Sequence, residues 1–131
     1  MNTTYRFAAA VNCIDGRVQE PVRRYLTDGN GTDFVDMITE PGPVKMLADG
    51  ADEALLASIR RRLDVSVRGH GVRTIAVVAH HDCLANPLDE ASQRKQLEAA
   101  SERLRAWYPE HDILALWVAA DFRVHRHAPP R

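Results

Sequence analysis

Four continuous apolar runs, Phe7–Val11, Phe34–Ile38, Ile75–Ala79 and Ile113–Val118, constrain this chain most, because they read as buried stretches rather than as alternating ones. A strand with one face in water alternates apolar and polar residues, whereas a continuous run needs cover on both faces, as in a parallel sheet sandwiched by helices. Helical patterns fill the gaps. Val18, Val22, Tyr25 and Leu26 make one apolar stripe, entered near Pro21 and ended by Gly29-Asn30-Gly31. Leu55, Leu56, Ile59 and Leu63 make a second, with Arg60, Arg61 and Arg62 turned mostly to solvent. Leu97, Ala100, Leu104 and Trp107 make a third, which Pro109 stops. The alternation predicts a three-layer α/β fold around a mostly parallel four-stranded sheet. With 131 residues and 45% hydrophobic content, the chain holds enough for one core, so a single domain over 1–131 is expected. The tail from His125 to Arg131, with two prolines, reads as loosely held.

Charge narrows the classes of partner. The net charge of −1 offers no global field for nucleic acid or an anionic membrane. The basic residues are nearly all arginine, with Lys45 and Lys95 the only lysines, and acidic residues offset them throughout. No apolar run approaches the roughly 20 residues of a membrane span. The first residues, MNTTYRF, lack the charged-then-apolar layout of a signal peptide, so a cytoplasmic protein is expected. In a reducing compartment two cysteines serve as metal ligands or a nucleophile more readily than as a disulfide.

Those two cysteines sit where apolar runs end. FAAAVNCIDGR and TIAVVAHHDC each stop abruptly at residues that ligate soft divalent metals. In doubly wound sheets, ligands bind at the carboxyl ends of the strands that flank the reversal of strand order. If the first and third strands are neighbours there, Cys13 converges with His80 and Cys83. Two thiolates and an imidazole make a three-ligand zinc set with a fourth position left over. In Cys13-Ile14-Asp15-Gly16-Arg17, thiolate and carboxylate two residues apart lie on one side, Gly16 allows a sharp turn, and Arg17 can clamp Asp15 as a bidentate ion pair. The same residues also fit a buried cysteine before a surface turn with a trivial salt bridge. A phosphatase-type loop is excluded, since only three residues separate Cys13 from Arg17 and one of them, Asp15, would oppose an anion. In His80-His81-Asp82-Cys83 the spacing of three suits chelation by one loop, and Asn86-Pro87 resembles a helix start close to Cys83.

CIDGR on the first strand with AHHDC on a later one resembles the β-class carbonic anhydrases, whose Cys-x-Asp-x-Arg and His-x-x-Cys motifs surround one zinc on a parallel-sheet core that dimerises. The resemblance covers the whole chain in strand order and marks it as a minimal, divergent member. It implies that Cys13, His80 and Cys83 are zinc ligands and that Asp15 and Arg17 form the catalytic dyad. The chain departs from the usual pattern at Ala79 and Leu84, where glycines are common. Thr39-Glu40-Pro41-Gly42-Pro43 replaces an Arg-Asn-Ala-Gly stretch. The long N-terminal helices and the extra C-terminal strand and helices of typical members are expected to be missing.

The reaction so implied is interconversion of CO2 and bicarbonate through a zinc-bound hydroxide, with Asp15 orienting the nucleophile and Arg17 keeping Asp15 anionic. Carbonyl sulfide or carbon disulfide hydrolysis would use the same site. A non-catalytic zinc-stabilised binding domain would follow if Asp15 closed the fourth position. A cysteine-based redox protein would work without metal. The expected working unit is a homodimer or higher homo-oligomer, with Pro41-Gly42-Pro43 and Met46-Leu47 as candidates to pack across its interface. His81 fits a proton relay or an ordinary loop histidine, and Trp107 and Trp117 fit packing.

Overall fold

The structure is a computed structural model that describes residues 4–29 and 31–128. Its five strands are β1 (Phe7–Cys13), β2 (Phe34–Glu40), β3 (Thr74–His80), β4 (Asp112–Val118) and β5 (Val124–Arg126). Its helices are α1 (Gln19–Asp28), α2 (Pro43–Asp49), α3 (Glu53–Gly69) and α4 (Glu90–Trp107). The sheet runs β2-β1-β3-β4-β5, parallel throughout except for the antiparallel pair β4/β5.

Three of the four runs are buried as expected, but Phe34–Ile38 is not: β2 is the edge strand, Phe34 is exposed and only Ile38 of that run is buried. Ala8 to Val11 and Ile75 to Val78 are fully buried, because β1 and β3 lie in the middle of the sheet with side chains packed on both faces. Alanine is a poor strand former, and here tertiary cover overrides its propensity. One face packs Val22 and Leu26 of α1, with Val18 just before it, against Ala10, Ala76, Val78 and Leu116. The other carries Leu47 of α2, Ile59 and Leu63 of α3, and Leu97 and Leu104 of α4 against Val11, Ile75 and Val77. Arg60 and Arg61 are exposed, while Arg62 is half-buried and pairs with Glu40.

Four further expectations need correcting. The sheet has five strands rather than four, and the chain does possess a C-terminal strand. At three residues, with His125 and Arg126 exposed, β5 is too short and too polar to announce itself. A tight turn with Phe122 at φ 65° brings it back against β4. The tail is consequently not loose through His127. The His127 backbone N–H donates to the Ala115 carbonyl, and its Nε2 lies 3.0 Å from Glu98 Oε1. Pro129 to Arg131 lie outside the described residues, as does Asn30 of the helix stop after α1.

The third correction concerns Pro41 to Leu47. They contain a helix, α2, in which Pro43, Val44 and Leu47 are buried within the chain's own core, leaving Pro41 and Lys45 exposed and Met46 half-buried for any partner. The fourth concerns Asn86-Pro87, which closes the turn after Cys83, with the Asn86 N–H on the Cys83 carbonyl, and does not open a helix. Helix α4 starts at Glu90, capped by the Asp89 carboxylate accepting the Ser92 N–H at 2.8 Å.

Candidate metal centre

Strand order places the site. From β1 the chain moves outward to β2, then returns across to β3, so β1 and β3 flank the reversal. Their register, Val11 opposite Val77, carries Cys13 to the same level as Ala79, one residue short of His80. Cys13 and His80 are thus the last residues of adjacent parallel strands, and Cys83 returns on the loop after β3. All three are buried, and one donor atom from each falls within 4.8 Å of the others. The two sulfurs are 3.9 Å apart and unbridged.

The donor set fits a soft divalent ion. The His81 carbonyl lies 2.8 Å from His80 Nδ1 and accepts its proton, which leaves the Nε2 lone pair for a ligand. Nε2 is buried and has no hydrogen-bond partner among the described residues, a costly arrangement unless something binds there. Burial pushes the Cys13 thiol up, but the His80 ring and backbone N–H groups of Asp15 and Gly42 outweigh it and bring it down to about 7. Burial pushes Cys83 up, and the neighbouring Cys13 adds to this. His80 is pushed down by burial, but Cys13 beside it and the His81 carbonyl outweigh that and raise it. A cation among the three would hold both sulfurs as thiolates.

Around these donors stands a built frame. Asn12 Oδ1 accepts the Cys13 N–H at 2.9 Å, and Gln19 Nε2 donates to the Cys13 carbonyl at 2.6 Å. Gln93, buried on α4, donates from Nε2 to the His80 carbonyl at 3.0 Å. Gly42, at φ 62°, sits tightly against the loop that carries Cys83: a β-carbon there would meet Asn86 Cβ at 3.2 Å.

Asp15 stands outside the three-donor set. Its carboxylate caps the short 3-10 turn Gly16–Val18, accepting the Arg17 N–H at 2.9 Å. The Arg17 guanidinium grips the same carboxylate from two nitrogens, Nε at 3.1 and 3.2 Å and Nη2 at 2.7 Å. That grip holds Asp15 far below the usual carboxylate range, at about 2. Arg17 also reaches the loop after β3, donating from Nη2 to the Asp82 carbonyl at 3.1 Å and from Nη1 to its carboxylate at 3.4 Å. Sequence reasoning missed Asp82, which takes φ 57°, a conformation Asp tolerates and most residues avoid. It also missed Asn12, Gln19 and Gln93, because their roles are set by backbone carbonyls and amides that no motif displays. His81 is exposed, with no side-chain contact to the donors. Trp117 is buried in the core and Trp107 packs against it.

Space near the centre is small. A cavity of about 40 Å³ lies between Arg17, His80, Val118 and Phe122. A much larger cleft, about 830 Å³, follows α1 from Arg17 to Gly29 and includes none of the three donors.

Comparison with known proteins agrees with this geometry. Residues 3–127 match the family described as "Putative carbonic anhydrase". Among solved structures, a β-carbonic anhydrase from Trichomonas vaginalis superimposes with a TM-score of 0.62 at 14% identity, over 100% of this chain and 87% of that one. A β-carbonic anhydrase from Aspergillus fumigatus gives 0.53 at 14% identity, over 96% and 77%. One of two tetrameric β-carbonic anhydrases from Sordaria macrospora gives 0.52 at 10% identity, over 98% and 83%. No curated protein matches the sequence significantly. The sequence match spans nearly the whole chain and these solved structures are β-class enzymes, so this chain belongs to the carbonic anhydrase family and has the β-carbonic anhydrase fold.

Proposed function

We propose that this protein is a zinc-dependent lyase interconverting CO2 and bicarbonate, with Cys13, His80 and Cys83 holding the metal and Asp15 and Arg17 serving the reaction. The observation that carries the reading is the Asp15–Arg17 pair. A carboxylate two residues from a thiolate ligand would readily close the metal's fourth position, yet Arg17 holds it outside the donor cluster by two-nitrogen contact and ties it to Asp82. A structural site gains nothing from such restraint, whereas a catalytic site must keep a position open. Zinc in this donor set would supply an acidified water. Asp15, ionised and oriented, accepts a hydrogen bond from the attacking group. Arg17 keeps that carboxylate charged and aimed. The small cavity beside His80 and Arg17 suits a substrate of a few atoms.

Further features of this proposal are a single domain across residues 1–131, a cytoplasmic location, and assembly as a homodimer or higher homo-oligomer. None of the helices among the described residues is long and apolar enough to cross a membrane. Carbonyl sulfide and carbon disulfide would meet the same groups, so they belong in the same assay.

Zinc content and CO2 hydration should be measured on one preparation. The expected result is one zinc per chain with hydration activity. Near-zero zinc, with two freely titrating thiols after metal repletion, overturns the metal assignment. Full zinc with no hydration at any pH overturns the reaction and favours a structural role.

A further inference from the structure

At the end of the sheet opposite the metal centre lies a second cleft, of about 600 Å³, lined by Arg6, Arg68 and Arg73 with Phe7, His70 and Thr32 among its other walls. Phe7 and Thr74, the first residues of β1 and β3, both line it, whereas Cys13 and His80 are the last residues of the same strands. At roughly 3.3 Å per residue, the seven-residue strands separate the two sites by about 20 Å.

The cleft's charge sets it apart. Three arginines line it, and no carboxylate does. Elsewhere, Arg17, Arg23, Arg24, Arg62, Arg94 and Arg123 pair with acids, whereas Arg60, Arg61, Arg103, Arg105 and Arg126 do not among the described residues, so what distinguishes this cleft is that three unpaired arginines line one space. Arg6, Arg68 and Arg73 have no carboxylate within ion-pair distance among the described residues. Two acids beside the cleft are already engaged. Asp33 accepts the Arg6 N–H at 2.8 Å, and Asp36 holds His70 Nδ1 at 2.5 Å. Arg68 lies in the last turn of α3, where it also complements the helix dipole. Arg6 and Arg73 flank strand starts and have no such task.

We infer that this cleft is a binding site for a small, multiply charged phosphate anion, distinct from the metal centre. Guanidinium groups match phosphate oxygens in geometry and stay charged at every relevant pH, and several of them facing one space favour a ligand bearing more than one negative charge. The volume falls within the range of about 300–1,000 Å³ usual for small-molecule sites. His70 is stacked on Phe7 with ring centroids 4.0 Å apart, so the anion would rest beside an aromatic pair that could also carry a flat ring. Inorganic pyrophosphate and a nucleoside diphosphate share the phosphate chemistry and differ in that ring.

The test is calorimetric titration of the metal-loaded protein with pyrophosphate and, separately, with adenosine diphosphate, at low and at moderate salt. One binding event per chain is expected, weakening as salt rises. Tighter binding of the diphosphate nucleoside would show that the ring is used, and equal or weaker binding would assign the site to the phosphate groups alone. In R68A/R73A the affinity should fall by about tenfold or more, since hydrogen bonds to charged groups are worth about that much each. These side chains are exposed, so folding and zinc content should not change. In R17A the affinity should be retained, which separates this cleft from anion capture at the metal centre. No binding by either probe, binding of equal strength in R68A/R73A, or binding lost in R17A would each overturn the inference.

Discussion

At the scale of single residues, the site rests on restraint more than on the donors themselves. Arg17→Ala should free Asp15 to swing onto the metal. Zinc should then stay bound while CO2 hydration falls by about 10² to 10⁴, the loss expected when orientation and proton handling fail together. A wild-type rate in that variant would refute the assigned roles. The pH behaviour of Asp15 follows from the same contact. Its folded pKa is depressed, to about 2, so its ion pair is intact above the ordinary carboxylate range and is lost only as pH falls through about 2. Any fall of activity between neutral and mildly acid pH must therefore arise elsewhere, and carbon-detected NMR of the Asp15 carboxylate should show no titration there. Cys13, Asp15, Arg17, His80 and Cys83 were all legible in the sequence, because chemistry-bearing residues at the ends of apolar runs leave few alternatives. Asp82 was not, since its carbonyl is what Arg17 grips and a carbonyl has no signature in sequence.

The elements show where period and length govern what can be read. Stripes of helical period predicted α1, α3 and α4, and their residues Val22, Ile59, Leu63, Leu97 and Leu104 are fully buried. Helix α2 escaped notice at seven residues, although its punctuation was present: Pro43 in its first turn and left-handed glycines at Gly42 and Gly50 on either side. Both glycines are needed. Gly50 takes a left-handed φ of 65°, and a β-carbon there would press on the Arg103 guanidinium, which donates from Nε to the Leu47 carbonyl at 2.6 Å. Gly42 matters to the metal centre, since it packs on Ala85 and Asn86 just beyond Cys83. Gly42→Ala should cost about 1–2 kcal/mol from the left-handed backbone alone, with more from the Asn86 contact. Its effect should include weaker metal retention, measured as faster zinc loss to a chelator. A variant that is destabilised in urea but holds zinc as wild type does would show that α2 and the Cys83 loop are uncoupled.

Across the whole molecule, strand order was the decisive inference: once β1 and β3 were neighbours, the motif residues had to meet. Sequence reading went astray over which surface faces a partner. Pro43 and Leu47 are consumed by the core, whereas Leu84 is 97% exposed and Ile14 62% exposed. Each of these adjoins a metal-donor residue, so together they leave apolar surface on the two loops beside the centre. A lone exposed leucine needs no explanation, but a pair flanking the candidate centre gains cover if a second copy docks there. A stable dimer must bury about 1,200–2,000 Å² in total, which these loops and the exposed Pro41 could begin but not complete. Sedimentation at low micromolar concentration should show a dimer or larger assembly. Leu84→Glu, placing a charge where apolar contact is expected, should shift it toward monomer with zinc content unchanged. If wild type sediments as a monomer, the assembly proposal fails. If Leu84→Glu leaves the assembly intact, the contact lies elsewhere on the surface and the apolar rim of the site is open to solvent.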